Sequence, residues 1–118
     1  MKRDIEIKRV YDPADKNDGT RVLVDRLWPR GLSRADAKLD AWVKDIAPSA
    51  ELRKWFGHDP ERWAEFVPLY EAELRANKEA VRALLELAGK KRLTLLYAAH
   101  DGDHNNAVVL SGFLKKLH

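Results

Sequence analysis

Cysteine is absent from this 118-residue chain. Disulfides, thiolate nucleophiles and cysteine-type zinc sites go with it. Long apolar runs are missing too, and none approaches the roughly 20 residues that a membrane-spanning helix needs. The opening Met1-Lys2-Arg3-Asp4-Ile5-Glu6 is charged where a secretory leader would be apolar, so the expected setting is the cytoplasm. Glycine is scarce, at 6 residues, and Gly31 stands alone rather than in a phosphate-cradling loop or dinucleotide fingerprint. No nucleophile elbow occurs, and Ser33, Ser49 and Ser111 have no base beside them in sequence. Charge of one sign is lacking as well: 22 basic residues face 19 acidic ones, for a net charge of +3 and a pI near 9.2. The basic residues fall in short groups, Lys2-Arg3, Lys8-Arg9, Lys90-Lys91-Arg92 and Lys115-Lys116, with acids between them. This balance favours acidic partners only weakly, and nucleic acid is a poorly supported one.

What remains is a hydrophobic fraction of 45% beside a charged fraction of 35%, the profile of a globular chain. The length predicts one domain over residues 1–118, with a modest core. Alternation at Ile5, Ile7 and Val10 predicts a strand over 4–11. Asn17-Asp18-Gly19 is a turn signal, and the apolar run that follows predicts a strand over 21–25. Trp42, Val43 and Ile46 predict a third strand over 41–46, and Leu93 to Ala98 a central one. Ser33 caps a short helix ending near Ala37, Ser49 one ending at Gly57, and Asp59-Pro60-Glu61 opens a longer one. Pro68 predicts a kink or break in that helix, Asn77 separates it from the next, and Gly89 closes that one. A last helix is predicted over 104–116. Strands alternating with helices give an α/β fold: a single three-layer domain whose small, mostly parallel sheet is flanked by helices. The first connection is short for a helical crossover. The first two strands are therefore either antiparallel or joined by an irregular loop.

The densest chemistry lies in Asp25-Arg26-Leu27-Trp28-Pro29-Arg30-Gly31, where a buried strand ends. Pro29 stiffens the loop and Gly31 lets it turn. Guanidinium groups on a rigid loop suit a carboxylate or phosphate, with Trp28 as a stacking wall. Open parallel sheets bind ligands beyond the carboxyl ends of their strands. A second strand end carries His100-Asp101-Gly102-Asp103-His104-Asn105 at a helix start, which attracts anions. Asp101 and His104 are the candidate catalytic pair, with His104 as general base. Arg26, Trp28, Arg30, Asn105 and His58 are the candidate ligand-binding residues. Each has a plainer role. Arg26 and Arg30 pin the loop by pairing with Asp25, Asp40 or Asp101; Asp101 or Asp103 caps the last helix; His58 is a turn residue. His100, Asp101 and His104 would suit a divalent metal only if so dense a cluster converged, so no metal or cofactor is assigned.

Together these segments resemble a known family. Arg21 to Gly31, Ala47-Pro48-Ser49, Leu52 to Pro60, and Thr94 to Ala99 with His104-Asn105 are similar to the YeaO-like branch of the domain of unknown function 488 family. The resemblance spans nearly the whole chain and implies a compact α/β domain in a bacterial or archaeal cytoplasm. Other branches carry Asp-x-Arg and Pro after the second strand, which Asp25 through Pro29 match loosely. They also carry Cys and Glu after the last strand, then Cys-His-Arg at the next helix. Here Tyr97 and Ala99 hold the first two places and His104-Asn105 falls near the last, which puts any chemistry built on those groups in question. The leading expectation is a site for an anionic small molecule, phosphate ester, nucleotide or carboxylate, with hydrolase or transferase activity if there is chemistry. The alternative is a non-enzymatic binding or interaction module that touches nucleic acid through its basic groups.

Overall fold

A computed structural model describes residues 4–117, so the basic pair Lys2-Arg3 lies outside the described residues. Its strands are β1 (Ile5–Arg9), β2 (Thr20–Leu23), β3 (Ala41–Trp42) and β4 (Leu93–Tyr97). Its helices are α1 (Arg34–Ala37), α2 (Ala50–Phe56), α3 (Trp63–Ala76), α4 (Lys78–Ala88) and α5 (Asn106–Lys116). The strands form one sheet in the order β1-β4-β2-β3, and every pairing is parallel. All of β4 is buried, as a continuous apolar run between two partners requires. Leu95 stands opposite Ile7 of β1 and Val22 of β2.

Of the two arrangements expected for the first strands, the irregular loop is the one found. β1 and β2 are parallel with β4 between them, and a 3-10 turn at Lys16–Asp18 interrupts the connection. Gly19 makes this route feasible. Its φ of 66° is open to glycine, and a Cβ there would collide with the Arg92 carbonyl oxygen. That same oxygen accepts from Thr20 N at 2.8 Å, which starts the β2–β4 ladder.

Alternation along the strands gives the sheet two apolar faces. Ile5, Val22, Leu95 and Tyr97 pack against α2 to α5 through residues such as Phe66, Tyr70, Leu84 and Leu110. Leu23, Leu96 and Val10 face the other way, under Trp28, Leu32 and Trp42. The three expected layers are therefore unequal. Four helices cover one face, while the loop after β2 and short α1 cover the other.

The caps form where the residue types call for them. Ser33 Oγ accepts from Asp36 N, Ser49 Oγ from Leu52 N, and Asp59 from Glu61 N. Several boundaries differ from expectation: β1 ends at Arg9, β2 at Leu23 and β4 at Tyr97, short of the expected 11, 25 and 98, and Asp59 caps a 3-10 turn at Pro60–Arg62 ahead of α3 rather than α3 itself. The third strand stops at Trp42, because 44–46 turn into a 3-10 segment that drops Ile46 into the core. α3 runs unbroken through Pro68, which lies on the exposed side where the carbonyl it leaves unpaired meets water. α5 begins at Asn106 rather than 104 because Asn105 is its cap.

Candidate functional site

The four parallel strands point their carboxyl ends the same way, and a cleft of about 590 Å³ opens there. It draws residues from the chain beyond every strand: Tyr11 after β1, Asp25 to Arg30 after β2, Ala47-Pro48 after β3, and Ala98 to Asp101 after β4. Phe56 of α2 and Phe66 of α3 give it an apolar floor. The size suits a small organic ligand.

The loops are tied to one another by side chains that reach backbone groups of their neighbours. Tyr11 Oη donates to the Arg30 carbonyl at 2.8 Å, and Trp42 Nε1 donates to the Asp25 carbonyl at 2.8 Å. Asp25 Oδ2 accepts from Ala98 N at 2.9 Å, which joins the β2 loop to the β4 loop. Arg9 Nε donates to the Ala99 carbonyl at 3.1 Å, and its guanidinium meets His100 Nδ1 at 3.2 Å. The cleft mouth is therefore a braced frame.

Three arginines, Arg26, Arg30 and Arg53, line it. Among the described residues none of them has a carboxylate within ion-pair distance. The structural alternative for Arg26 and Arg30, pairing with Asp25, Asp40 or Asp101, is not what the geometry shows. Arg26 Nε donates to the Pro48 carbonyl at 3.2 Å, which fixes its shaft. Arg53 Nε is buried with no hydrogen-bond partner. Buried donors are ordinarily satisfied, so this guanidinium nitrogen lacks an acceptor that the described residues do not supply.

Trp28 lines the cleft but is not a free stacking platform. Its indole N–H donates to the Leu32 carbonyl at 2.6 Å, its ring meets Trp42 edge-on at 5.3 Å, and the Arg34 guanidinium lies 4.5 Å from its centroid. It serves as a wall clamped by cation–π contact. Asp25 and Asp101 are the acids that line the cleft. Burial raises the Asp25 carboxyl above the usual range, against the opposing pull of the Ala98 amide, the Asn106 amide and the charge on His58.

The Asp101–His104 pair exists, with Oδ2 and Nδ1 2.9 Å apart. Its setting is mainly local. Asp101 Oδ1 accepts from Asp103 N at 2.9 Å and His104 N at 3.0 Å, so the carboxylate closes a turn. Those amide bonds and the imidazole hold it below the usual carboxylate range. Asp101 lines the cleft and His104 does not; the His104 ring packs edge-on against Trp63 at 5.2 Å. Asn105 reaches the cleft wall, but Oδ1 accepts from Val108 N and Nδ2 donates to the Asp101 carbonyl, so both polar ends are spoken for. His58 lines the cleft from an exposed position with φ of 57°, beside Phe56. Among the described residues no three metal-ligating side chains are grouped to hold an ion, and His100 turns to Arg9 instead.

Sequence reasoning took His58 but not Arg53 from the segment 53–60 as a ligand residue, and placed Asp25 at the strand end without a ligand role of its own. Arg53 is embedded in Arg53-Lys54-Trp55-Phe56, where nothing local separates the inward arginine from an ordinary basic helix face. Asp25 does carry a signal, since a carboxylate directly after a fully apolar strand must be buried or nearly so.

A family model described as the inactive DUF488-N3 subclade matches residues 4–118. The uncharacterised protein YeaO of Escherichia coli (strain K12) is 48% identical over 113 residues, 96% of this chain and 98% of that protein. The uncharacterised protein Rv3073c of Mycobacterium tuberculosis (strain ATCC 25618 / H37Rv) is 41% identical over 110 residues, 93% of this chain and 92% of that protein. No solved structure matches at a significant level. Since both the family model and the similarity to YeaO run almost end to end, the chain belongs to the YeaO-like branch of the DUF488 family, within the inactive DUF488-N3 subclade.

Proposed function

We propose that this protein binds a small organic anion, a phosphate ester, nucleotide or carboxylate, in the cleft at the carboxyl ends of its strands, and that it does so without catalysis. One observation carries the reading: Arg26, Arg30 and Arg53 line one apolar cleft, none of them has a carboxylate within ion-pair distance among the described residues, and Arg53 Nε is buried without a partner. An anion would supply an acceptor and a countercharge, both of which guanidinium groups suit. Apolar walls around few polar groups fit a ligand with an organic body.

The choice of binding over turnover rests on the placement of His104 outside the cleft lining and on the description of the matching family model as inactive. A hydrolase or transferase draws support only from the Asp101–His104 pair. A bacterial cytoplasm belongs to the same proposal: the relatives named above are bacterial, and the chain has no cysteine for an oxidising compartment to pair. The test is a thermal-shift screen of inorganic phosphate, sugar phosphates, nucleotides and carboxylates against the wild type, Arg26→Ala and Arg53→Ala. The reading expects a rise of several degrees that both variants lose while keeping their unliganded melting temperature within a few degrees. No shift with any anion, or shifts unchanged in both variants, would overturn it.

A further inference from the structure

Asp25 is hard to explain on an anion site alone. A carboxylate beside a cationic cleft repels an anionic ligand, and burial already penalises its charge. If its only work were to join the loops after β2 and β4, a neutral acceptor would suffice for the single bond from Ala98 N at 2.9 Å. By hydrogen-bond geometry Oδ2 alone is engaged, while Asp25 lines the cleft. Its carbonyl is fixed by Trp42 Nε1, and Asn106 Nδ2 donates to the Val24 carbonyl at 3.0 Å while favouring the Asp25 charge from beside it. Oδ1 thus has no partner within hydrogen-bond geometry among the described residues, on a residue that lines the cleft. No arginine pairs with it among the described residues.

We infer that Asp25 is a specificity-determining residue, accepting a hydrogen bond from a hydroxyl or amino group on the body of the ligand while the arginines hold its anionic group. The inference rests on the anion-site reading and narrows it. The ligand class becomes hydroxylated or amino-bearing organic phosphates and carboxylates, rather than free phosphate or plain acyl anions. Discrimination of this kind is strong, because a ligand without the donor leaves a desolvated carboxylate unpaired.

Two matched pairs of probes test it: glycerol 3-phosphate against propyl phosphate, and 4-hydroxybenzoate against benzoate. Dissociation constants are measured by titration calorimetry on the wild type and on Asp25→Asn. In the variant the asparagine carbonyl can still take the Ala98 amide, so the fold is retained and a donor replaces the acceptor in the cleft. For at least one pair the wild type should bind the hydroxylated member about tenfold tighter or more, the span of one hydrogen bond to a charged group. Asp25→Asn should abolish or invert that preference. Equal affinities within both pairs, with binding itself present, would overturn the role of Asp25 and leave the anion site standing. A preference that survives in Asp25→Asn would do the same. No binding of any of the probes at millimolar concentration would overturn both. The wild-type comparison stands by itself if the variant does not fold.

Discussion

Replacing Asp18 by asparagine should cost more stability than any other single isosteric change to a carboxylate in this protein. Asp18 lies at the amino end of β2, far along the strands from the cleft. Its Oδ2 takes Arg21 Nη1 at 2.6 Å and Asp15 N at 3.0 Å, and Lys8 Nζ lies 3.2 Å from both oxygens. Arg21 Nη2 and Nε donate to the carbonyls of Ala37 and Lys38, at 2.8 and 3.0 Å, which closes the end of α1. The Arg21 side chain is only 7% exposed and that of Asp18 only 11%. Removing the charge leaves a buried guanidinium and a half-buried ammonium without an anion, a loss of about 3 kcal/mol. A chain of this length melts with an entropy of about 0.25 kcal/mol/K, so the melting temperature should fall by about 12 °C. Acid titrates the same contact. Burial works against the Asp18 charge, but the Asp15 amide, Lys8 and Arg21 outweigh it and hold the folded carboxyl below its ordinary value. The unfolded chain then takes up a proton more readily than the folded one. The contribution is complete above about pH 4 and is lost as pH falls through the lower folded value. Circular dichroism melts of the wild type and Asp18→Asn from pH 7 to pH 2, with Asp45→Asn as an exposed control, would measure both effects. A variant within about 1 kcal/mol of wild type at pH 7, or one with an undiminished acid slope, would refute the reasoning.

Gly19→Ala should cost about 2 kcal/mol or more, through positive φ and collision with the Arg92 carbonyl oxygen, and urea titration would read it. Asn105→Ala removes the cap of α5 and should lower stability by about 1 kcal/mol in the same titration, with anion affinity changed little. His104→Ala should leave anion binding within about twofold of wild type, because the ring lies against Trp63 and not in the cleft. A large loss of affinity there would return His104 to the site.

The local parts of this fold were legible from the residues. Ser33, Ser49 and Asp59 are caps because their side chains can bond backbone amides two or three residues on, a property visible at short range. The burial of β4 followed from an apolar run too short for a membrane and too unbroken for an edge. Strand order was not legible. β1 pairs with a strand some ninety residues away, and periodicity says nothing of such a partner. The site divides the same way. Arg26 and Arg30 declared themselves because strand, proline and glycine bracket them. Arg53 did not, because its place in the cleft depends on how α2 docks against the β2 loop. His104 shows the reverse error: its bond to Asp101 was readable from spacing, but the ring's turn toward Trp63 is a tertiary choice.

In the proposed reading Arg26, Arg30 and Arg53 together hold the anion. Two-dimensional amide NMR during titration with glycerol 3-phosphate tests it most directly, because it locates the bound anion. The account predicts saturable shifts concentrated at Arg26 to Arg30, Arg53 to His58 and Ala98 to Asp101, and their loss in Arg53→Ala. Shifts confined to the Lys90-Lys91-Arg92 and Lys115-Lys116 groups, or none at saturating phosphate ester, would contradict it.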